Sequence, residues 1–304
     1  MMQRRLTFTT ALLLTVPPLM WAGNAVVGRL VRDAVPPMTL NLLRWSIALL
    51  ILLPLGRAAF KTGSGALVNW RRYALLGLFG IGLYNSFQYL ALQSSTPINV
   101  TLVAAGLPVW MMLVGRLFFG VRIRAAQSAG VVLSIAGVLV VLCRGDWHQL
   151  AALRLVPGDL YMILATIAWS FYSWILNQQR DVPALGTDWA AFLLVQVLYG
   201  VLFSSAFAAV EWSVAAPRPI AWSPAVCAAL AFVAIGPAIV AFRCWGAGVA
   251  KAGPAVGAFF VNLTPLFAAL LSAAFLGEPP HLYHLLAFAL IVAGIGVSAR
   301  SIAR

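Results

Sequence analysis

The chain has 304 residues, of which 62% are hydrophobic and only 9% charged, a balance far from that of a soluble domain. A water-soluble fold of this length could not hide so many long apolar runs, so the composition points to a polytopic membrane protein. The net charge of +13 invites a nucleic-acid reading, but the basic residues punctuate the apolar runs instead of clustering on one amphipathic face, and that pattern excludes it. Cys143, Cys227 and Cys244 lie in apolar segments at neither metal-like nor disulfide-like spacing, and say nothing about redox compartment.

In chain order, the first span is predicted over residues 9–31. Arg4 and Arg5 ahead of an apolar run also fit a signal peptide cleaved near Ala25, but apolar character continues past Ala25, which favours a retained helix. Further spans are predicted near 38–56, 73–92, 97–119 and 125–142. A polar connector, Arg144-Gly-Asp146-Trp147-His148 onward to Pro157, closes the first half. The second half repeats the plan near 158–178, 189–210, 224–247, 254–276 and 282–299. Trp70, Trp147, Trp189, Trp212 and Trp222 sit at predicted span ends and read as interface anchors.

The ninth span shows why the two halves are read as copies. Pro254 stands where a helix begins and forfeits no hydrogen bond, whereas Pro265 falls inside the span and should break it. Shifted back by 157 positions, Pro254, Pro265, Gly277 and Gly294 fall on Pro97, Pro108, Gly120 and Gly137 without a gap. Leu270, Phe275 and Ala293 land on Leu113, Phe118 and Ala136 in the same register. Glycine and proline are too sparse for this to be chance, and paired interrupted helices at matching positions of two halves point to a transporter binding site. The expected fold is an all-α integral membrane protein of ten transmembrane helices, in two five-helix repeats over residues 1–145 and 146–304.

Five is odd, so the second repeat is expected to enter the membrane from the opposite side. With a cytoplasmic N-terminus, the inner segments hold Arg57, Lys61, Arg71, Arg72, Arg122, Arg124, Arg180 and Lys251 among other basic residues. The outer segments hold only Arg29, Arg32, Arg144, Arg154 and Arg218, set against Asp33, Asp146, Asp159, Glu211 and Glu278. Basic residues mark the cytoplasmic side, so both termini are expected to be cytoplasmic in a cell (plasma or inner) membrane.

With these features in place, the chain resembles the drug/metabolite transporter superfamily in its EamA-domain branch. The resemblance rests on Trp21 and its twin Trp169, on Arg44, and on Pro97…Pro108…Gly120 with its repeat. Leu276-Gly277-Glu278 followed by a last helix containing Gly294 completes it. Gly120-Val121-Arg122 departs from the pattern, lacking the acidic residue that Glu278 supplies in the second half. The resemblance implies a basket of helices around a central cavity and export of amino acids or related metabolites. Aromatic amino acid exporters of the YddG type are one branch similar in architecture. One scaffold serves many solutes, so a passive channel or an exporter of nucleosides or drugs are the alternatives.

Polar side chains within spans usually face a cavity or a partner helix. Trp21, Asn24 and Gly28 share a face of the first span; Trp169, Tyr172 and Ser173 sit on its twin, with Asn177 two turns on. The third span offers Tyr84 and Gln88, beside Asn85 and Tyr89; the fourth Thr101, and Trp110 after Pro108; the ninth Phe259 and Asn262, ahead of Pro265. The expected substrate-binding residues are Trp21, Asn24, Tyr84, Gln88, Trp110, Trp169, Tyr172, Phe259 and Asn262, with Pro108 and Pro265 as the helix breaks. Aromatic walls with a few amides and hydroxyls suit a small zwitterion with an apolar side chain. The competing reading is that these groups fill space and bond neighbouring helices.

Two arginines lie within spans. Arg44 is expected to have a structural or gating role near the outer surface; Arg243, deeper, is left to a substrate carboxylate, to Glu211 or to backbone carbonyls. All seven acidic residues lie at span ends or in loops, so proton antiport through a buried carboxylate is not expected. That absence also removes an intramembrane aspartyl protease. Pro279 and Pro280 break the helix that would align Glu278, His281 and His284 on a metal, and there is no phosphate-binding glycine loop. No catalytic residue, metal or cofactor is expected; the partners are a small solute and the lipid bilayer, with no nucleic acid, and the chain is expected to act as a monomer.

Overall fold

The computed structural model describes residues 6–61, 63–95, 100, 103–143, 146, 148, 156–178, 185, 187–215, 217, 219–276 and 282–300. Thr101, Pro97, Trp147, Gly277, Glu278, Pro279, Pro280 and His281 of the sequence reading lie outside the described residues. The elements are α1 (Phe8–Leu30), α2 (Pro37–Leu55), α3 (Trp70–Ser94), α4 (Leu107–Phe119), α5 (Ala125–Leu142) and α6 (Pro157–Asn177). They continue with α7 (Trp189–Ala215), α8 (Pro224–Ala252), α9 (Pro254–Val261), α10 (Thr264–Leu276) and α11 (Leu282–Arg300). Six of these (α1, α2, α3, α6, α7 and α8) are long and apolar enough to cross a membrane, and the others are shorter apolar helices.

Proline and short polar side chains set the helix starts. Pro37, Pro157, Pro224 and Pro254 occupy first-turn positions, where a missing N–H costs nothing. Asp188 accepts from the N–H groups of Ala190 and Ala191 at the start of α7, and Ser223 from Val226 N–H at the start of α8. Glu211, on α7, accepts from Met38 N–H, Thr39 N–H and the Thr39 hydroxyl at 2.9, 2.9 and 2.8 Å, so it caps α2 from a distant part of the chain.

The surface is the inverse of a soluble protein's. Leu50, Leu117, Leu202 and Leu285 point outward, while Asn24, Asn41, Arg44, Asn85, Gln196 and Asn262 are buried. That distribution suits a molecule whose solvent is lipid.

Matching features recur 157 positions apart. The α-helical run of α3 is interrupted over Gly77–Leu83, and that of α8 over Ala234–Val240, by stretches in which N–H groups reach five residues back. Tyr84 N–H bonds Phe79 C=O, and Ala241 N–H bonds Gly236 C=O. Pro237 lies inside the second stretch and removes a donor there, whereas in the first the Asn85 amide donates to the Gly80 carbonyl at 3.1 Å. α4 and α10 are both 13 residues long and start 157 positions apart, as do α5 and α11 at their first residues.

The helix pairings are reciprocal as well. α1 packs on α8 and α6 on α3; α1 packs on α10 and α6 on α4; α2 pairs with α7 and α5 with α11. In the last pair the backbones touch. A Cβ on Gly294 would stand 2.8 Å from Gly130 O, one on Gly130 2.8 Å from Gly294 O, and one on Gly137 2.8 Å from Ala287 O. In lipid, small residues allow such close crossing, and dispersion between the helices then holds them together.

Candidate functional site

The centre of the molecule is aromatic. Trp169 of α6 meets Trp21 of α1 edge-on at 5.0 Å between centroids, Tyr84 of α3 at 4.7 Å and its own neighbour Tyr172 at 4.8 Å. Phe242 and Trp245 of α8 complete the ring of contacts at 5.3 and 5.5 Å, and Trp245 also lies 5.7 Å from Trp21. These separations favour edge-on and tilted packing of ring quadrupoles, worth about 0.5–1.5 kcal/mol per pair beyond area burial. Tyr172 reaches its place because Gly80 has no side chain, since a Cβ there would stand 2.4 Å from the tyrosine ring. Trp245 Nε1–H donates to the Ser173 hydroxyl at 3.2 Å, while the buried Trp169 Nε1–H has no partner among the described residues.

A buried polar group adjoins this cluster. Asn24 lies one helical turn beyond Trp21 on α1, and Asn85 follows Tyr84 on α3. Between them sits the Arg44 guanidinium of α2, 1% exposed. It donates to Asn85 Oδ1 at 2.9 Å, to the Tyr89 hydroxyl at 3.0 Å and to Asn24 Oδ1 at 3.4 Å, while Tyr89 O–H donates to Asn24 Oδ1 at 3.2 Å. Arg44 also lies over the Trp45 ring at 5.3 Å. A second buried polar knot, Asn41 with Ile81 C=O, Ser86 and Ser204, ties α2, α3 and α7 together.

Trp21, Tyr84, Trp169 and Tyr172 are thus brought together, with Asn24 at their edge. Phe259 and Asn262 are buried but turn toward α5. The Asn262 amide donates to the Ser134 hydroxyl at 2.7 Å, and Phe259 lies beside Gly130. Gln88 and Trp110 are half-buried on α3 and α4. Pro108 occupies the second residue of α4, after a turn closed by Gly106 N–H to Val103 C=O, and Pro265 the second residue of α10, after Asn262 and Leu263. Each proline therefore restarts a helix after a break.

Arg243 is exposed and stacks on Trp189 at 4.1 Å, so Glu211, engaged at the start of α2, is not its partner. Arg72, read as a loop cation, is buried and caps the end of α6 by donating to the carbonyls of Ile175, Leu176 and Gln178 at 3.3, 3.2 and 2.7 Å. Beside it an open groove of about 530 Å³ is lined by Val68, Asn69, Trp70, Arg71, Leu75 and Gln178.

Phe242, Trp245, Asn85 and Tyr89 were not among the residues expected to bind substrate. For the first two a signal was present, because the 157-residue shift places Trp245 on Gln88 and Phe242 on Asn85.

The model of the EamA-like transporter family matches the chain twice, over residues 8–143 and 156–300. The chain belongs to that family and is a multi-pass membrane transporter. An uncharacterized transporter of Archaeoglobus fulgidus is 26% identical over 94% of this chain and 96% of its own length. The uncharacterized transporter YetK of Bacillus subtilis is 27% identical over 91% of this chain and 82% of its own length. The aromatic amino acid exporter YddG of Ancylobacter novellus is 27% identical over 87% of this chain and 88% of its own length. A solved crystal structure superimposes with a TM-score of 0.75 at 24% identity, over 99% of this chain and 100% of the other, a likeness of fold alone.

Proposed function

We propose that the protein is a carrier, not an enzyme, that exports amino acids with apolar or aromatic side chains, or closely related metabolites, by alternating access and without proton coupling. Its ten spans form two inverted repeats over residues 1–145 and 146–304 in the inner membrane, both termini are cytoplasmic, and the monomer is the working unit. The observation that carries this reading is the meeting of Trp21 from one repeat with Trp169 from the other, among Tyr84 of α3 and Phe242 and Trp245 of α8. A site shared by two repeats is what rocking of one repeat against the other alternately opens. The reciprocal helix pairings, the double family match and the paired breaks at Pro108 and Pro265 support the repeat. The aromatic amino acid exporter among the relatives supports the solute class.

In this reading Trp21, Tyr84, Trp169 and Tyr172 pack on the apolar part of the solute, and Asn24 and Gln88 bond its polar end. Trp110, Phe259 and Asn262 line the path at the two helix breaks, and Arg243 anchors α8 against α7 at the cytoplasmic side. Counterflow tests the carrier: proteoliposomes preloaded with unlabelled phenylalanine should take up labelled phenylalanine transiently above equilibrium and saturably. Linear, unsaturable flux would establish a pore, and counterflow of nucleosides but not amino acids would replace the solute class.

A further inference from the structure

Arg44 is a buried cation with no anion beside it among the described residues. Five of the seven acidic residues are among those described, and each is engaged elsewhere. Asp33 pairs with Arg32, Asp146 accepts from His148 N–H, Asp159 from Val156 N–H and Ser95, Asp188 caps α7 and Glu211 caps α2. The acceptors that Arg44 meets are neutral, from Asn24, Asn85 and Tyr89, and its Nε–H, with no partner among the described residues, is buried. An arginine side chain is a permanent cation. Neutral dipoles offset part of the cost of burying it, and an anion would offset far more. The charge also adjoins the aromatic cluster, since Asn24 is one turn from Trp21 and Asn85 is next to Tyr84.

We infer that Arg44 is the anion receptor of the transport site: the carboxylate of the solute completes the guanidinium's hydrogen bonds, while its apolar part lies among Trp21, Tyr84 and Trp169. This rests on the carrier reading and narrows it to solutes that carry an anionic group. Amines and uncharged drugs of the same shape are then poor ligands, because they leave the buried cation unpaired. Asn24 and Asn85 become positioning residues that hold the guanidinium in the solute's absence.

The test compares three ligands that share a phenyl ring and differ in charge: L-phenylalanine, 3-phenylpropionate and phenethylamine. Binding to the purified full chain is read by tryptophan fluorescence and by thermal shift. Phenylalanine and phenylpropionate should bind, and phenethylamine should bind at least about tenfold more weakly. Asn24→Asp supplies an internal carboxylate in place of an amide oxygen 3.4 Å from the guanidinium. It should weaken phenylpropionate at least about tenfold without lowering the melting temperature, since it pairs the buried charge. Arg44→Lys, which keeps the charge but not the planar fork, should retain part of the anion preference. Equal binding of all three ligands, or unchanged phenylpropionate affinity in Asn24→Asp, would overturn the role of Arg44 and leave the carrier reading standing. Failure of all three to bind would remove the solute class of the carrier reading, and this inference with it.

Discussion

The crossing of α5 and α11 makes a demand that two glycines on one helix can separate. At Gly294 an added Cβ would stand 2.8 Å from Gly130 O, 3.0 Å from Ser134 N and 3.1 Å from Ser134 Cβ, whereas at Gly296 it would meet nothing within 4 Å. Replacing glycine by alanine in a helix interior changes intrinsic propensity by about 1 kcal/mol in alanine's favour, and this term is common to both positions. The difference between Gly294→Ala and Gly296→Ala therefore isolates the contact. Relief at Gly294 requires backbone to move away from backbone by about half an ångström, an overpacking that typically costs about 1–3 kcal/mol. Gly296→Ala should be neutral or slightly stabilising, and Gly294→Ala should fall below it by that amount. Thermal unfolding in one detergent, followed by near-ultraviolet circular dichroism, gives the comparison. Gly130→Ala should cost about as much as Gly294→Ala, and the double variant less than the sum, because both strain one contact. Equal stability of the Gly294 and Gly296 variants would mean that α5 and α11 do not cross at this point.

Cysteines placed within 58–66 should resist an impermeant thiol reagent applied outside the cell, and those within 213–219 should react; the reverse result would refute the proposed orientation. Transport measured with membrane potential clamped should not respond to a pH gradient, because the described carboxylates cap helices or lie at span ends, and a clear dependence would show a proton carrier elsewhere. Trp169→Leu should weaken phenylalanine affinity by about tenfold, by loss of ring contacts on the solute, while Trp70→Leu and Trp222→Leu at exposed positions should leave it unchanged; equal losses at all three would place the site elsewhere. Glu211→Gln keeps the shape of the cap on α2 but removes its charge and one acceptor oxygen, and should lower stability by about 0.5–2 kcal/mol; no loss would mean that water replaces the cap.

The sequence alone determined the class of protein, the position of every long apolar helix and the internal periodicity. Those features are written in composition, in proline and glycine spacing and in tryptophan at span ends, all of which are local or simply periodic. The breaks at Pro108 and Pro265 were legible for the same reason, since a proline's missing N–H acts where it stands. Only the tertiary structure decided what each polar side chain meets. By sequence Arg44 is the shallower and Arg243 the deeper of two cations within spans, yet Arg44 is enclosed by Asn24, Asn85 and Tyr89 and Arg243 is exposed against Trp189. Their difference arises from which helices pack beside α2 and α8, and hydrophobic periodicity says little about that in chains whose faces are apolar all round. Asn262 was expected at the midplane with Trp169 but bonds Ser134, because the break at Asn262–Leu263 turns its amide toward α5. Phe242 and Trp245 join Trp169 for a further reason. α1 pairs with α8 and α6 with α3, so the rings that meet at the centre come from segments far apart in the chain, brought together by packing between its two halves.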